Sequence, residues 1–141
     1  MLSYGMGMAA DETDLKILGL LKGNARMNNT EIAKKTGISE ASVRRRAARL
    51  AKEVIKRFTI ELKSAGTGAL IFIITTSETA KVATAIAAIK GVQDLAEISG
   101  DYDICAKVEA GSVGELNGLV DEIRKIKGIK KTKTFIILRN W

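Results

Sequence analysis

Four arginines, Arg44, Arg45, Arg46 and Arg49, crowd a stretch from Asn29 to Leu50 that reads as a short helix, a glycine turn at Gly37 and a second helix. A guanidinium is permanently charged and carries a rigid fork of donors, which suits phosphate oxygens and the N7 and O6 edge of guanine. At about 100° per residue, Val43, Ala47 and Leu50 share one stripe of the second helix, and Ala41, Ser42, Arg45, Ala48 and Arg49 share the other. Arg45, Arg49 and Ser42 are therefore the candidates for base edges. Arg44 and Arg46, on the flanks, are placed for phosphates on the walls of a major groove. A charge run on a helix is ordinarily a solvated face. Here no acidic residue falls between Glu40 and Glu53, so the arginines are expected to be unpaired and to favour an anionic partner, double-stranded DNA.

The elements needed to hold such a helix are legible around it. Asn29 or Thr30 is expected to cap the preceding helix, and Ile38 to plug the turn. Ser39 is expected to cap the arginine helix. Further upstream, Asp11 opens a first helix with Asp14 three residues on, in the manner of a capping box, and Leu15, Ile17, Leu18 and Leu21 supply its apolar side. Three helices ending near Lys52, with a glycine turn before the last, describe a helix-turn-helix.

The charge is unevenly placed. The chain of 141 residues has a formal net charge of +7, of which residues 1 to 63 hold +6 and residues 64 to 141 only +1, so the electrostatic footprint for nucleic acid lies in the N-terminal part. One cysteine, Cys105, and no histidine leave no internal disulfide, no His-containing triad and no common zinc site, and they suggest a reducing compartment. No cofactor, metal or catalytic residue is expected. No apolar run approaches a membrane span, and Met1 to Ala10 lacks the form of a signal peptide. It reads as a disordered leader of a soluble, cytoplasmic, DNA-associated protein.

Val54 to Leu62 alternates with β character, and residues 63 to 68 form a small-residue linker. Beyond it the pattern is βαββαβ. A strand at 69 to 75 is followed by a helix capped by Thr76 or Ser77, with Val82, Ile86 and Ile89 inward. Strands from Val92 to Ile98 and Ile104 to Ala110 flank the turn Gly100-Asp101-Tyr102-Asp103. Ser112 caps a helix bearing Val113, Leu116, Val120 and Ile123, and a last strand runs from Lys130 to about Leu138. Ile89-Lys90-Gly91-Val92 recurs as Ile126-Lys127-Gly128-Ile129. Interleaved βαβ units of this kind give a ferredoxin-like sandwich with both helices on one face of an antiparallel sheet. The bare face calls for a cover, most simply a second copy of the same sheet.

With these segments in this order, the sequence resembles the Lrp/AsnC (feast/famine) family of transcription factors over nearly all of residues 11 to 141. The resemblance is carried by Asp11-Glu12-Thr13-Asp14, Asn24-Ala25-Arg26, Ile38-Ser39, Val43-Arg44-Arg45-Arg46, Val54-Ile55-Lys56, Gly100-Asp101-Tyr102-Asp103, and Thr132 and Thr134 before Phe135-Ile136-Ile137-Leu138. It implies an α+β protein: a winged helix-turn-helix DNA-binding domain with a linking strand (11 to 62), a linker (63 to 68) and a ferredoxin-like effector-binding and oligomerisation (RAM) domain (69 to 141). It further implies a sequence-specific transcriptional regulator, homodimeric and assembling to tetramers or octamers, controlled by an amino acid bound between dimers.

By matching position, the DNA-contacting set is Ser39, Ser42, Arg44, Arg45, Arg46, Arg49 and Lys56. The effector set is Gly100, Asp101, Tyr102, Asp103, Thr132 and Thr134. A carboxylate such as Asp101 or Asp103 would accept from an ammonium, and hydroxyl or amide donors would hold a carboxylate. Relatives carry a glycine after the recognition helix, whereas Lys52-Glu53 runs straight into Val54, so the usual left-handed stop should be missing. Two other functions fit the residues: a non-specific architectural DNA-compacting protein, or a metabolite-binding ferredoxin-like module whose helical head only oligomerises.

Overall fold

The computed structural model describes residues 10–62, 66–76 and 78–140. The chain divides into two compact units, one running to Glu61 and one from Leu62. The expected leader falls outside the described residues apart from Ala10, as do residues 63 to 65 of the linker.

In the first unit, α1 (Glu12–Gly23), α2 (Asn29–Thr36) and α3 (Glu40–Glu53) form the head. Asp11 and Asp14 build a full capping box on α1. The cap of α2 is Asn28, one residue earlier than expected: its side chain accepts from the Glu31 amide while Glu31 reaches back to the Asn28 amide. That reciprocal pair satisfies two orphan donors, which Asn29 or Thr30 alone would not. Gly37 takes the left-handed conformation that ends α2, with φ of 74° and its N–H on Ala33 O. Ser39 caps α3, accepting from the Ser42 amide at 3.2 Å.

Ile17, Ile32, Val43 and Leu50 are fully enclosed at the centre of the head. The end of α3 lacks a left-handed residue, as its sequence implies. Val54 sits at φ −120°, and the Val54 and Ile55 amides both donate to Leu50 O, at 2.9 and 2.8 Å.

The expected strand over Val54 to Leu62 does not form in the single chain. β character alone does not make a strand, since the backbone needs a hydrogen-bonding neighbour. Phe58, Ile60 and Leu62 remain 58%, 80% and 64% exposed.

The second unit contains β1 (Thr67–Thr75), α4 (Thr79–Ala87), β2 (Val92–Glu97), β3 (Ile104–Ala110), α5 (Val113–Arg124) and β4 (Ile129–Ile136), in the expected βαββαβ order. The sheet is antiparallel throughout, with strand order β2-β3-β1-β4. β1 starts two residues inside the expected linker, because Thr67 and Gly68 pair with Ala110 and Glu109.

One sheet face is sealed by α4 and α5. Ala69, Ile71 and Ile73 of β1 and Ile104, Ala106 and Val108 of β3 pack there against Val82, Ile86, Leu116, Leu119, Val120 and Ile123. Val113 is 53% exposed and Leu119 is buried in its place; the first residue after the Ser112 cap lies off the stripe that begins at Leu116. Leu138 is 95% exposed, since β4 ends at Ile136. Neither expected cap serves α4: Thr76 sends its hydroxyl toward Gly128 O, Ser77 lies outside the described residues, and Glu78 holds the cap position in a left-handed conformation without a side-chain bond.

The opposite face carries Leu70, Phe72 and Ile74 of β1, Cys105 of β3 and Phe135 of β4, with Phe72 and Phe135 packed edge to face at 5.6 Å. These side chains are half-buried or exposed. Burial pushes the Cys105 thiol above its ordinary pKa, with nearby Asp94 adding to the shift, so it stays a thiol. Among the described residues no helix is long and apolar enough to cross a membrane.

The repeated Ile-Lys-Gly segments turn alike, with φ of 99° at Gly91 and 100° at Gly128. A Cβ added at Gly91 would stand 2.6 Å from Leu119 Cδ1 and 2.9 Å from Glu109 O. Gly91→Ala is therefore expected to destabilise the sheet unit by more than about 1 kcal/mol, seen as an earlier midpoint in urea unfolding. An unchanged midpoint would remove the conformational reason for glycine in this turn.

Candidate nucleic-acid interface

The outer face of α3 is built from small and cationic residues. Ala41, Arg44, Arg45, Ala48 and Lys52 are all exposed, and at 100° per residue they fall within one broad arc opposite Val43 and Leu50. Two alanines leave room for a close approach, with guanidinium groups beside them. Arg45 has no partner among the described residues. Arg44 pairs only with Glu40 of its own helix, Nη2 to Oε1 at 3.0 Å, with the two side chains 70% and 45% exposed. Such a surface pair is worth a few tenths of a kcal/mol and exchanges readily for a phosphate. The same Glu40 accepts from Thr30 Oγ1 at 2.9 Å, tying α2 to α3.

Arg46 and Arg49 are not unpaired, which corrects the expectation drawn from the missing acids along α3. Their partners come from α1, more than thirty residues away. Arg46 Nη1 donates to Asp11 Oδ2 at 2.7 Å and to Asp14 Oδ1 at 2.8 Å, and Arg49 Nη2 donates to Asp14 Oδ2 at 2.5 Å. Asp14 is 1% exposed, the one buried charged residue among those described. Both arginines lean inward from the outer arc and are only half-buried.

Ser39 is occupied by its cap and also donates to Ser42 Oγ at 2.9 Å. Lys56 is exposed beyond the end of α3. Lys52 was not foreseen, although its spacing of seven from Arg45 places it on the same face. Asp14 was read only as a capping residue, and nothing local in the sequence signals its second role.

The electrostatics of the cluster follow from its geometry. Burial would raise the Asp14 carboxyl, but the hydrogen bonds from Arg49 and Arg46 and from the Asp11 amide outweigh it and hold the group below the ordinary value of 3.8. Asp11 is lowered by the Asp14 amide and then by Arg46. Hydrogen bonds to these carboxylates in turn hold Arg46, through Asp11 and Asp14, and Arg49, through Asp14, more firmly protonated.

The six effector candidates do not converge within one subunit. Gly100 turns the chain at φ 137° and Asp101 is exposed beside it. Tyr102 stacks on Phe72 on the open face at 5.4 Å. Asp103 does structural work: Oδ2 accepts from the Thr75 amide at 2.7 Å and from the Thr75 hydroxyl at 3.2 Å, closing the end of β1. Thr132 and Thr134 pair with Ile73 and Ile71 across the sheet and so face the helices. Thr132 Oγ1 accepts from Arg124 Nε at 3.0 Å, and Thr134 Oγ1 is buried with no hydrogen-bond partner.

Comparison with known proteins agrees with both halves. Residues 11–51 match a profile described as an AsnC-type helix-turn-helix domain, and residues 69–141 match one described as an Lrp/AsnC ligand binding domain. The chain is 42% identical to the HTH-type transcriptional regulator LysM of Saccharolobus solfataricus, covering 93% of this chain and 95% of that one. It is 33% identical to the HTH-type transcriptional regulator FL11 of Pyrococcus horikoshii, over 95% and 93%. The solved structure of AsnC from E. coli superposes with a TM-score of 0.72 at 28% identity, covering 94% and 95%.

Because both aspartates titrate lower in the folded head than the unfolded value of 3.8, their contribution is complete above that pH. It is lost as the pH falls from there through the folded values, where the unfolded chain binds more protons. Acid titration followed by circular dichroism should therefore show stability dropping with pH in this window. Asp14→Asn should flatten that dependence, and an equally steep acid transition in the variant would place the titrating groups elsewhere.

Proposed function

The chain belongs to the Lrp/AsnC family of helix-turn-helix transcriptional regulators, and from that membership we propose how its parts divide the work. The head binds DNA with the outer face of α3 in the major groove. The single observation that carries this is the arc of Ala41, Arg44, Arg45, Ala48 and Lys52, exposed together and backed by the enclosed Val43 and Leu50. Arg45 is the base reader, through a forked contact to guanine. Arg44 leaves Glu40 for a phosphate, and Lys52 and Lys56 extend the backbone contacts. Ser39 and Ser42 lie at the N-terminal end of α3, the end that leads into the groove in this motif.

The sheet unit provides self-association and effector binding. Two open faces, each presenting Leu70, Phe72, Ile74 and Phe135, cover one another in a homodimer, which sets two α3 helices about one DNA turn apart on a pseudo-palindromic site. An amino acid binds between dimers at the Gly100 to Asp103 loop. Asp101, exposed and without a partner among the described residues, accepts the ammonium. Asp103, committed to Thr75, shapes the loop instead. Since Thr132 and Thr134 face the helices, a neighbouring subunit would have to supply the remaining contacts. Binding there shifts the balance among dimer, tetramer and octamer and so changes promoter occupancy.

Gel shifts on genomic fragments test the DNA assignment. Arg45→Ala is expected to remove about 1–3 kcal/mol of discrimination between cognate and unrelated duplexes, while selective footprints from that variant would exclude Arg45 as the reader. Thermal-shift measurement against the twenty amino acids, with the mass of the assembly recorded, tests the effector role. One amino acid should raise the midpoint and change the mass, with both effects weakened in Asp101→Asn, and a flat response to all twenty would refute effector control while leaving DNA binding intact.

A further inference from the structure

We propose that Asp14 is a specificity-determining residue of the DNA-binding head, one that withholds Arg46 and Arg49 from the DNA backbone. The inference rests on the reading that α3 enters the groove, and it deepens that reading by assigning what two of its arginines do not do.

Every acceptor of the Asp14 carboxylate is engaged. Oδ1 takes Arg46, and Oδ2 takes Arg49 together with the Asp11 amide at 3.2 Å. Asp11 adds a second carboxylate to Arg46. Extracting either arginine would leave a carboxylate that is 1% exposed short of its counter-charge, and a buried charge stripped of its partner is strongly unfavourable. Arg44, by contrast, forfeits only an exposed pair.

Arginine contacts to phosphate carry no sequence information and supply the salt-dependent, non-specific part of DNA affinity. Holding two of four arginines on α1 therefore suppresses binding to any duplex while leaving the outer face of α3 untouched. A head with all four released would bind DNA harder and choose less well.

The test uses the full chain and a random-sequence duplex a few helical turns long, with affinity measured as a function of salt. Asp14→Asn is expected to bind this duplex more tightly at low salt. Its slope of log affinity against log salt should steepen by about 0.9 for each arginine recruited to a phosphate. Asp14→Glu should keep the parental slope, and adding Arg46→Gln and Arg49→Gln to Asp14→Asn should restore it.

A slope in Asp14→Asn that is unchanged or shallower, with the far-ultraviolet spectrum of the parent, would overturn the proposal. So would flattening by Arg46→Gln and Arg49→Gln in the otherwise native chain, because these arginines would then already touch phosphate. That double variant decides the question even if Asp14→Asn does not fold. Arg45→Gln separates the two levels: selective binding surviving in Arg45→Gln removes the groove assignment, whereas the slopes of the Asp14 series judge the withholding alone.

Discussion

A carboxylate taken out of water must be met by positive charge, and that requirement at Asp14 organises the head. It fixes two side chains of α3 against the start of α1, thirty-two and thirty-five residues earlier in the chain. The same residue closes the capping box that starts α1. One buried charge thus joins the first turn of the first helix to the middle of the third, and with Ile17, Ile32, Val43 and Leu50 it sets the angle at which α3 is shown to solvent. The arginines that remain outside are those that the packing leaves over.

The second unit answers a different constraint. A four-stranded sheet has two faces, and this chain supplies helices for only one. The covered face is built from aliphatic side chains in register. The uncovered one mixes aliphatic and aromatic groups with lysines: Lys133 lies 5.0 Å over the Phe135 ring. A surface of that kind is neither a finished core nor an ordinary solvated face, and it is why self-association belongs in the functional account.

Much of this was legible because it is local. The Asp11 and Ser39 caps, the Gly37 turn, the βαββαβ order and the kinship of Gly91 with Gly128 each depend on a few neighbouring residues. So does the family resemblance, which is a set of short segments in order. What failed depended on distant parts of the chain. The absence of acids along α3 suggested unpaired arginines, but a helix surface is neutralised by whatever packs beside it, and α1 brought Asp11 and Asp14. The strand expected over Val54 to Leu62 needed a neighbour that the single chain does not provide. Val113 and Leu119 exchanged places because a helix stripe is defined by the sheet it meets. The effector candidates could be named by position, yet Asp103 and Thr132 already have intramolecular partners.

The two units are unequally built. The head encloses four apolar side chains in its buried cluster and the sheet unit twelve, among the described residues. Free energy from apolar burial scales with the area removed from water, so the smaller cluster gives way first on warming. The reading element would then loosen while the scaffold that pairs subunits is still intact. Heat alone would clear promoters without dissolving the assembly, and cooling would re-arm complexes that never came apart.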